Sequence, residues 1–135
     1  MLGPHFEQLA RTWTERCATV RTLGGRPSRV GFTQVNDAAA RSVVEIDVVA
    51  VSGNPAADRP RVLAVGEAKG GVAHRTVADL HDLERKRTIL GERADVTGAK
   101  LLLISRSGFE PDVQEMAETR DDVGLVDLER LYRGD

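Results

Sequence analysis

The sequence has a single cysteine, Cys17, among 135 residues, which excludes an internal disulfide and points to a reducing compartment. No apolar run approaches the roughly 20 residues of a membrane-spanning helix. Residues 1–16 lack the basic stretch followed by an apolar stretch that marks a secretory signal. Together these absences predict a cytoplasmic chain with no membrane partner. Lysine and arginine number 19 against 21 acidic residues, a net charge of −2. That balance argues against a protein that coats polyanions indiscriminately, because such proteins carry a basic footprint. Aromatic residues make up only 4% of the chain, and Phe6, Trp13, Phe32 and Phe109 read as core rather than as base-stacking platforms. The three histidines, His5, His74 and His81, show no metal-ligand spacing. Gly24-Gly25 and Gly70-Gly71 lack the lysine and the spacing of a phosphate-binding P-loop.

What is present fits one domain over residues 1–135, long enough to bury a single core. Phe6, Leu9, Ala10, Trp13, Cys17 and Val20 recur at helical spacing and predict an amphipathic first helix, with Cys17 buried on its stripe and Leu23-Gly24-Gly25 as its end. Strands are predicted at 29–35, 42–51 and 61–69, with the loop 52–60 as a breaker between the last two. A helix follows over 72–90, stopped by Gly91. The continuously apolar 100–105 reads as a strand buried on both faces. A short helix at 112–119, a strand at 124–126 and a closing helical turn at 127–132 complete the order. This succession predicts an α/β fold with a mixed central sheet flanked by helices. There is no internal repeat.

The stretch from Arg41 to Lys69 carries charge where core strands should carry none. Side chains alternate along a strand, so Glu45 and Asp47 share one face of theirs, and Glu67 and Lys69 one face of the next. Buried charges cost several kcal/mol each, on the order of what a fold can spare, unless paired or bound to metal. A Glu-x-Lys triplet is common in a chain this rich in charge. Here it ends a strand just before Gly70-Gly71, and Asp47 lies in the neighbouring apolar run. Two carboxylates aimed at one point suit a hard cation such as Mg²⁺, and a lysine beside them suits phosphodiester hydrolysis. Glu7 borders the buried stripe of the first helix and faces either solvent or the sheet. Among the basic residues, Arg26 and Arg29 lie in the Arg-rich first thirty residues and Arg75 follows the Glu-x-Lys strand; each is a phosphate contact or a solvated surface group.

Glu7, Asp47 and Glu67-Ala68-Lys69, in a chain ordered helix, three strands, helix, strand, resemble the PD-(D/E)XK nuclease superfamily over nearly the whole length. The stretches 2–8, 45–51, 65–69 and 104–109 look most like the nuclease-like C-terminal domain of prokaryotic AAA+-type ATPases. The chain is also similar to archaeal Holliday-junction resolvases and Mrr-type nucleases. The resemblance implies a restriction-endonuclease-like αβββαβ core and a Mg²⁺-dependent DNA endonuclease, with Mn²⁺ as a substitute metal. Asp47, Glu67 and the Ala68 backbone carbonyl would be the metal ligands, Lys69 the catalytic lysine, and Glu7 a carboxylate supporting the metal through water. Glu45 would support these ligands or lie at the edge in solvent. DNA, an ATPase domain or subunit and a second copy of the chain are the implied partners. Members of this fold also serve as binding modules without turnover. Ile46 stands where the motif's name has proline, and no glutamine occurs on the helix after Lys69.

Overall fold

The computed structural model describes residues 3–54 and 56–135. Leu2, in the opening motif, and Pro55, in the 52–60 loop, lie outside them. The chain runs α1 (Gly3–Arg16), α2 (Val20–Leu23), β1 (Arg29–Asp37), β2 (Ser42–Ser52), β3 (Arg61–Lys69), α3 (Val77–Leu90), β4 (Lys100–Ser105), α4 (Pro111–Thr119), β5 (Val123–Val126) and α5 (Leu128–Arg133). The strands form one sheet in the order β1-β2-β3-β4-β5. The β1-β2 and β2-β3 pairs are antiparallel, and the β3-β4 and β4-β5 pairs are parallel. This is an α/β architecture with a mixed five-stranded sheet flanked by helices. No helix of the described residues is long and apolar enough to cross a membrane.

The sheet separates two apolar layers. On one side Val44, Ile46, Val49, Val65, Leu101 and Leu103 pack with Leu80, Leu83 and Leu90 of α3 and Val113 of α4. On the other, Val48, Ala50, Ala64, Ala68, Leu102 and Ile104 pack with Phe6, Ala10 and Trp13 of α1 and Leu131 of α5. β4 feeds both layers by simple alternation, which is why its sequence is apolar throughout. The Trp13 indole N–H, which burial would otherwise leave unpaired, donates to the Arg130 carbonyl at 3.1 Å and so ties α1 to α5.

Four expectations are corrected. The first helix does not run to Leu23: the Cys17 and Ala18 N–H groups both turn back onto the Trp13 carbonyl, and Thr19 caps the separate α2. Cys17 therefore leaves the helical period and is exposed, not buried. The helix expected from Val72 starts at Val77, because Thr76 and Asp79 form a reciprocal capping box there, and Val72 is left in solvent. Phe6 and Trp13 are core, but Phe32 is 68% exposed. It sits on the outer strand, where Arg11 of α1 reaches over one face of the ring and leaves the rest in solvent.

Arg120 grips Asp122 with two bonds, of 3.0 and 2.9 Å, and Arg87 of α3 adds one of 3.1 Å. The Arg120 hydrogen bond, foremost, outweighs burial and holds the Asp122 carboxyl at about 2. A carboxylate whose folded value is depressed stabilises the fold above its unfolded value, and that contribution disappears as pH falls through the folded one. Thermal melts should therefore show part of the stability lost between pH 3.8 and about 2, with Asp122→Asn reducing that loss. A Cβ at Gly66 would come within 3.1 Å of Val48 Cβ and 3.2 Å of the Leu102 carbonyl oxygen. Gly66→Ala should destabilise by about 1–3 kcal/mol in denaturant unfolding.

Candidate functional site

The site begins with a fault in strand pairing. Gly31 pairs with Val49 but Thr33 pairs with Ile46, so Phe32 stands opposite two residues, Asp47 and Val48. One extra residue in β2 makes a β-bulge, which re-aims the side chains around it. Before the bulge, Val44 and Ile46 face the α3 layer, which sends Glu45 and Asp47 to the α1 side. After it, Val48 and Ala50 face the α1 layer. Asp47 and Val48 therefore project to the same side.

Asp47 is fixed by two neighbouring elements. Its Oδ2 accepts the Ala68 N–H of β3 at 3.0 Å. Its main-chain carbonyl accepts from Arg11 Nη1 of α1, also at 3.0 Å. Pro4, Glu7, Arg11, Phe32, Glu45, Ile46 and Asp47 surround a hollow of about 130 Å³. Glu45 is exposed there and accepts from Gln34 Nε2 at 3.1 Å across the β1-β2 pair. Glu7, one turn before Arg11 on α1, completes the acidic wall. Burial foremost, then the Asp47 carboxylate, pushes the Glu7 carboxyl up; Glu45 adds to the rise, while Arg11 and Lys69 oppose it.

Glu67 and Lys69 lie on the other side of β3. Ala68 belongs to the α1 layer, so alternation sends its two neighbours toward α3. Glu67 Oε1 is 3.5 Å from Lys69 Nζ and 3.5 Å from Lys86 Nζ of α3. Lys86 also approaches Asp82 at 3.5 Å. The Glu67 and Lys86 side chains are 8% and 14% exposed, whereas Lys69 is 47% exposed, so Lys69 is the ammonium free to reach outward. The structure thus gathers Glu7, Glu45 and Asp47 in one group and Glu67, Lys69 and Lys86 in another. The Ala68 peptide, held by Asp47, lies between them.

Among the described residues, no three His, Cys, Asp or Glu side chains form a group able to hold a metal ion. Asp47, Glu67, the Ala68 carbonyl and, through water, Glu7 are all oxygen donors of the kind a hard cation takes. The expected meeting of the two carboxylates at one point is corrected: alternation about Ala68 sends Glu67 to the α3 side and the bulge keeps Asp47 on the α1 side. The remaining candidates stand apart. Arg75 folds back onto Asp79 at 3.5 Å and the Ala73 carbonyl at 3.1 Å, with its guanidinium largely buried. Arg26 is exposed in the loop before β1. Arg29 lines a different hollow, with Pro60, Val62 and Leu90.

Sequence reasoning missed Arg11 and Lys86 as parts of the site and misjudged Phe32. Arg11 left a signal, since Glu7 and Arg11 are four apart and share a helix face. Lys86 left none, because its approach to Glu67 depends on how α3 lies on the sheet. No family model, curated protein or solved structure matches the chain.

A carboxyl whose folded pKa is raised contributes stability below its unfolded value and loses that contribution as pH rises through the folded one. Glu7→Gln removes this repulsion, so it should melt at a higher temperature than wild type at pH 7. The difference should vanish in melts below the usual glutamate range.

Proposed function

We propose that the chain is a Mg²⁺-dependent DNA endonuclease of the PD-(D/E)XK type, working alone, as a homodimer or as the nuclease part of an ATPase assembly. The observation that carries this reading is the 3.0 Å bond from the Ala68 N–H to Asp47 Oδ2. It pins the middle of β2 to the middle residue of the Glu67-Ala68-Lys69 triplet. The chain order helix, three strands, helix, strand, with the first three strands antiparallel and the fourth parallel to the third, supports the restriction-endonuclease-like core.

In this reading Asp47, Glu67 and the Ala68 carbonyl would hold the cation, with Glu7 bonding to its water. A bound Mg²⁺ supplies a water acidified toward neutral pH and neutralises charge on the phosphoryl oxygens. Lys69, half-exposed beside Glu67, orients the attacking water or stabilises the extra charge of the transition state. Lys86 keeps a cation on Glu67 when Lys69 turns to the phosphate, so the buried carboxylate is never left unpaired. Arg11 keeps the bulge carbonyl satisfied and so holds Asp47 in place.

One observation favours a second reading, a module that binds DNA or a partner protein without turnover. Glu67 Oε1 is engaged by two ammonium groups, and Asp47 lies on the other side of β3. Cleavage assays on plasmid, single-stranded and branched DNA with Mg²⁺ or Mn²⁺ separate the two. Asp47→Asn and Lys69→Ala should each lower cleavage at least about 100-fold while circular dichroism stays native, in the range expected when a metal ligand or charge-stabilising group is removed. Wild type that cuts none of these substrates, or variants that cut as well as wild type, would overturn the enzymatic reading in favour of the module.

A further inference from the structure

The bulge that turns Asp47 inward leaves Phe32 exposed on the same face of the sheet. An aromatic ring placed in water gives up the stabilisation it would gain by burial, and this chain has few such rings. The ring is also held in place. The Arg11 guanidinium lies over it, 5.1 Å from the centroid, and is itself tethered to the Asp47 carbonyl at 3.0 Å and to Gln8 Oε1 at 3.2 Å. One face of Phe32 is thus covered by a cation, and the ring stands on a strand rather than on a loop.

The surroundings indicate what such a ring would take. The adjoining hollow is walled by Glu7, Glu45 and Asp47, so bare phosphate oxygens are repelled from it. A neutral heteroaromatic base is not repelled, and it gains from stacking on a ring whose other face carries an arginine. Gln34 lies two residues along β1 on the same face, and its amide bonded to Glu45 at 3.1 Å offers donors and acceptors at the edge of a stacked base. A base paired inside a duplex cannot present its face to Phe32.

We propose that Phe32 and Arg11 form a stacking platform for an unpaired nucleobase beside the acidic hollow, so that the preferred substrate is a DNA strand with unpaired bases next to the phosphate to be cut. The substrate preference rests on the nuclease reading above, whereas the platform itself does not.

The test measures anisotropy of a labelled single-stranded deoxyoligonucleotide, and of the same strand in a duplex, with the full chain in Ca²⁺. Phe32→Ala should weaken single-strand binding about tenfold, within the range for the loss of one base stack, and leave duplex binding unchanged. Phe32→Trp should restore affinity and show indole quenching when the strand binds. The proposal is overturned if wild type does not bind the single strand. It is equally overturned if Phe32→Ala binds like wild type, weakens both forms alike, or alters only the oligomeric state in light scattering, which would make Phe32 a protein contact. Cleavage assays in Mg²⁺ keep the two readings apart. Cleavage by wild type together with indifference to Phe32→Ala removes the platform alone. A Phe32-dependent preference for single strands without any cleavage keeps the platform and removes the nuclease.

Discussion

The site depends on one extra residue in β2. Without the bulge at Asp47 and Val48, strict alternation from Ile46 onward would put Val48 on the α3 side and take Ala50 out of the layer under α1. With it, Asp47 and Val48 share a face, and Val48 and Ala50 reach Ala10 and Trp13. The same distortion frees the Asp47 carbonyl for Arg11 and brings the Asp47 carboxylate onto the Ala68 N–H. It also leaves Phe32 opposite two residues instead of one. Packing of the first helix, aim of the carboxylate and exposure of the ring thus follow from a single fault in the strand ladder.

The end of β3 also sorts charge in a way the overall balance does not reveal. α1 brings Glu7 toward Asp47 and Glu45, and α3 brings Lys86 toward Glu67 and Lys69. Acidic repulsion accumulates on one side of the strand and cationic attraction on the other, with the Ala68 peptide between them. The raised Glu7 carboxyl marks the cost. Such local strain is typical of positions kept for binding or chemistry, because neutral residues there would make a more stable fold. Away from this end, charges are paired conventionally, as in the Arg120, Asp122 and Arg87 cluster that joins α3 to the entry of β5.

Most of the element order is legible in the chain because its signals are short-ranged. The unbroken apolar run of 100–105 can only be a strand covered on both faces. Pro111 opens α4, as its fixed φ favours at a first helical turn, and Gly70-Gly71 stops β3. The Thr76 and Asp79 capping box was present in the sequence, yet the apolar Val72 drew the expected helix start five residues too early. Cys17 shows the limit of periodicity, which assumes that the helix continues and cannot register that it has stopped one residue before.

Residue type and spacing were enough to single out Asp47, Glu67 and Lys69 and to forecast a mixed sheet flanked by helices, since alternation, caps and charge inside apolar runs are properties of neighbours in the chain. The bulge, the separation of Asp47 from Glu67 across the Ala68 peptide, the arrival of Lys86 and the exposure of Phe32 arose only on folding. Each depends on register between strands or on how a helix lies across the sheet. Those are contacts between residues far apart in the chain, and local pattern carries no record of them.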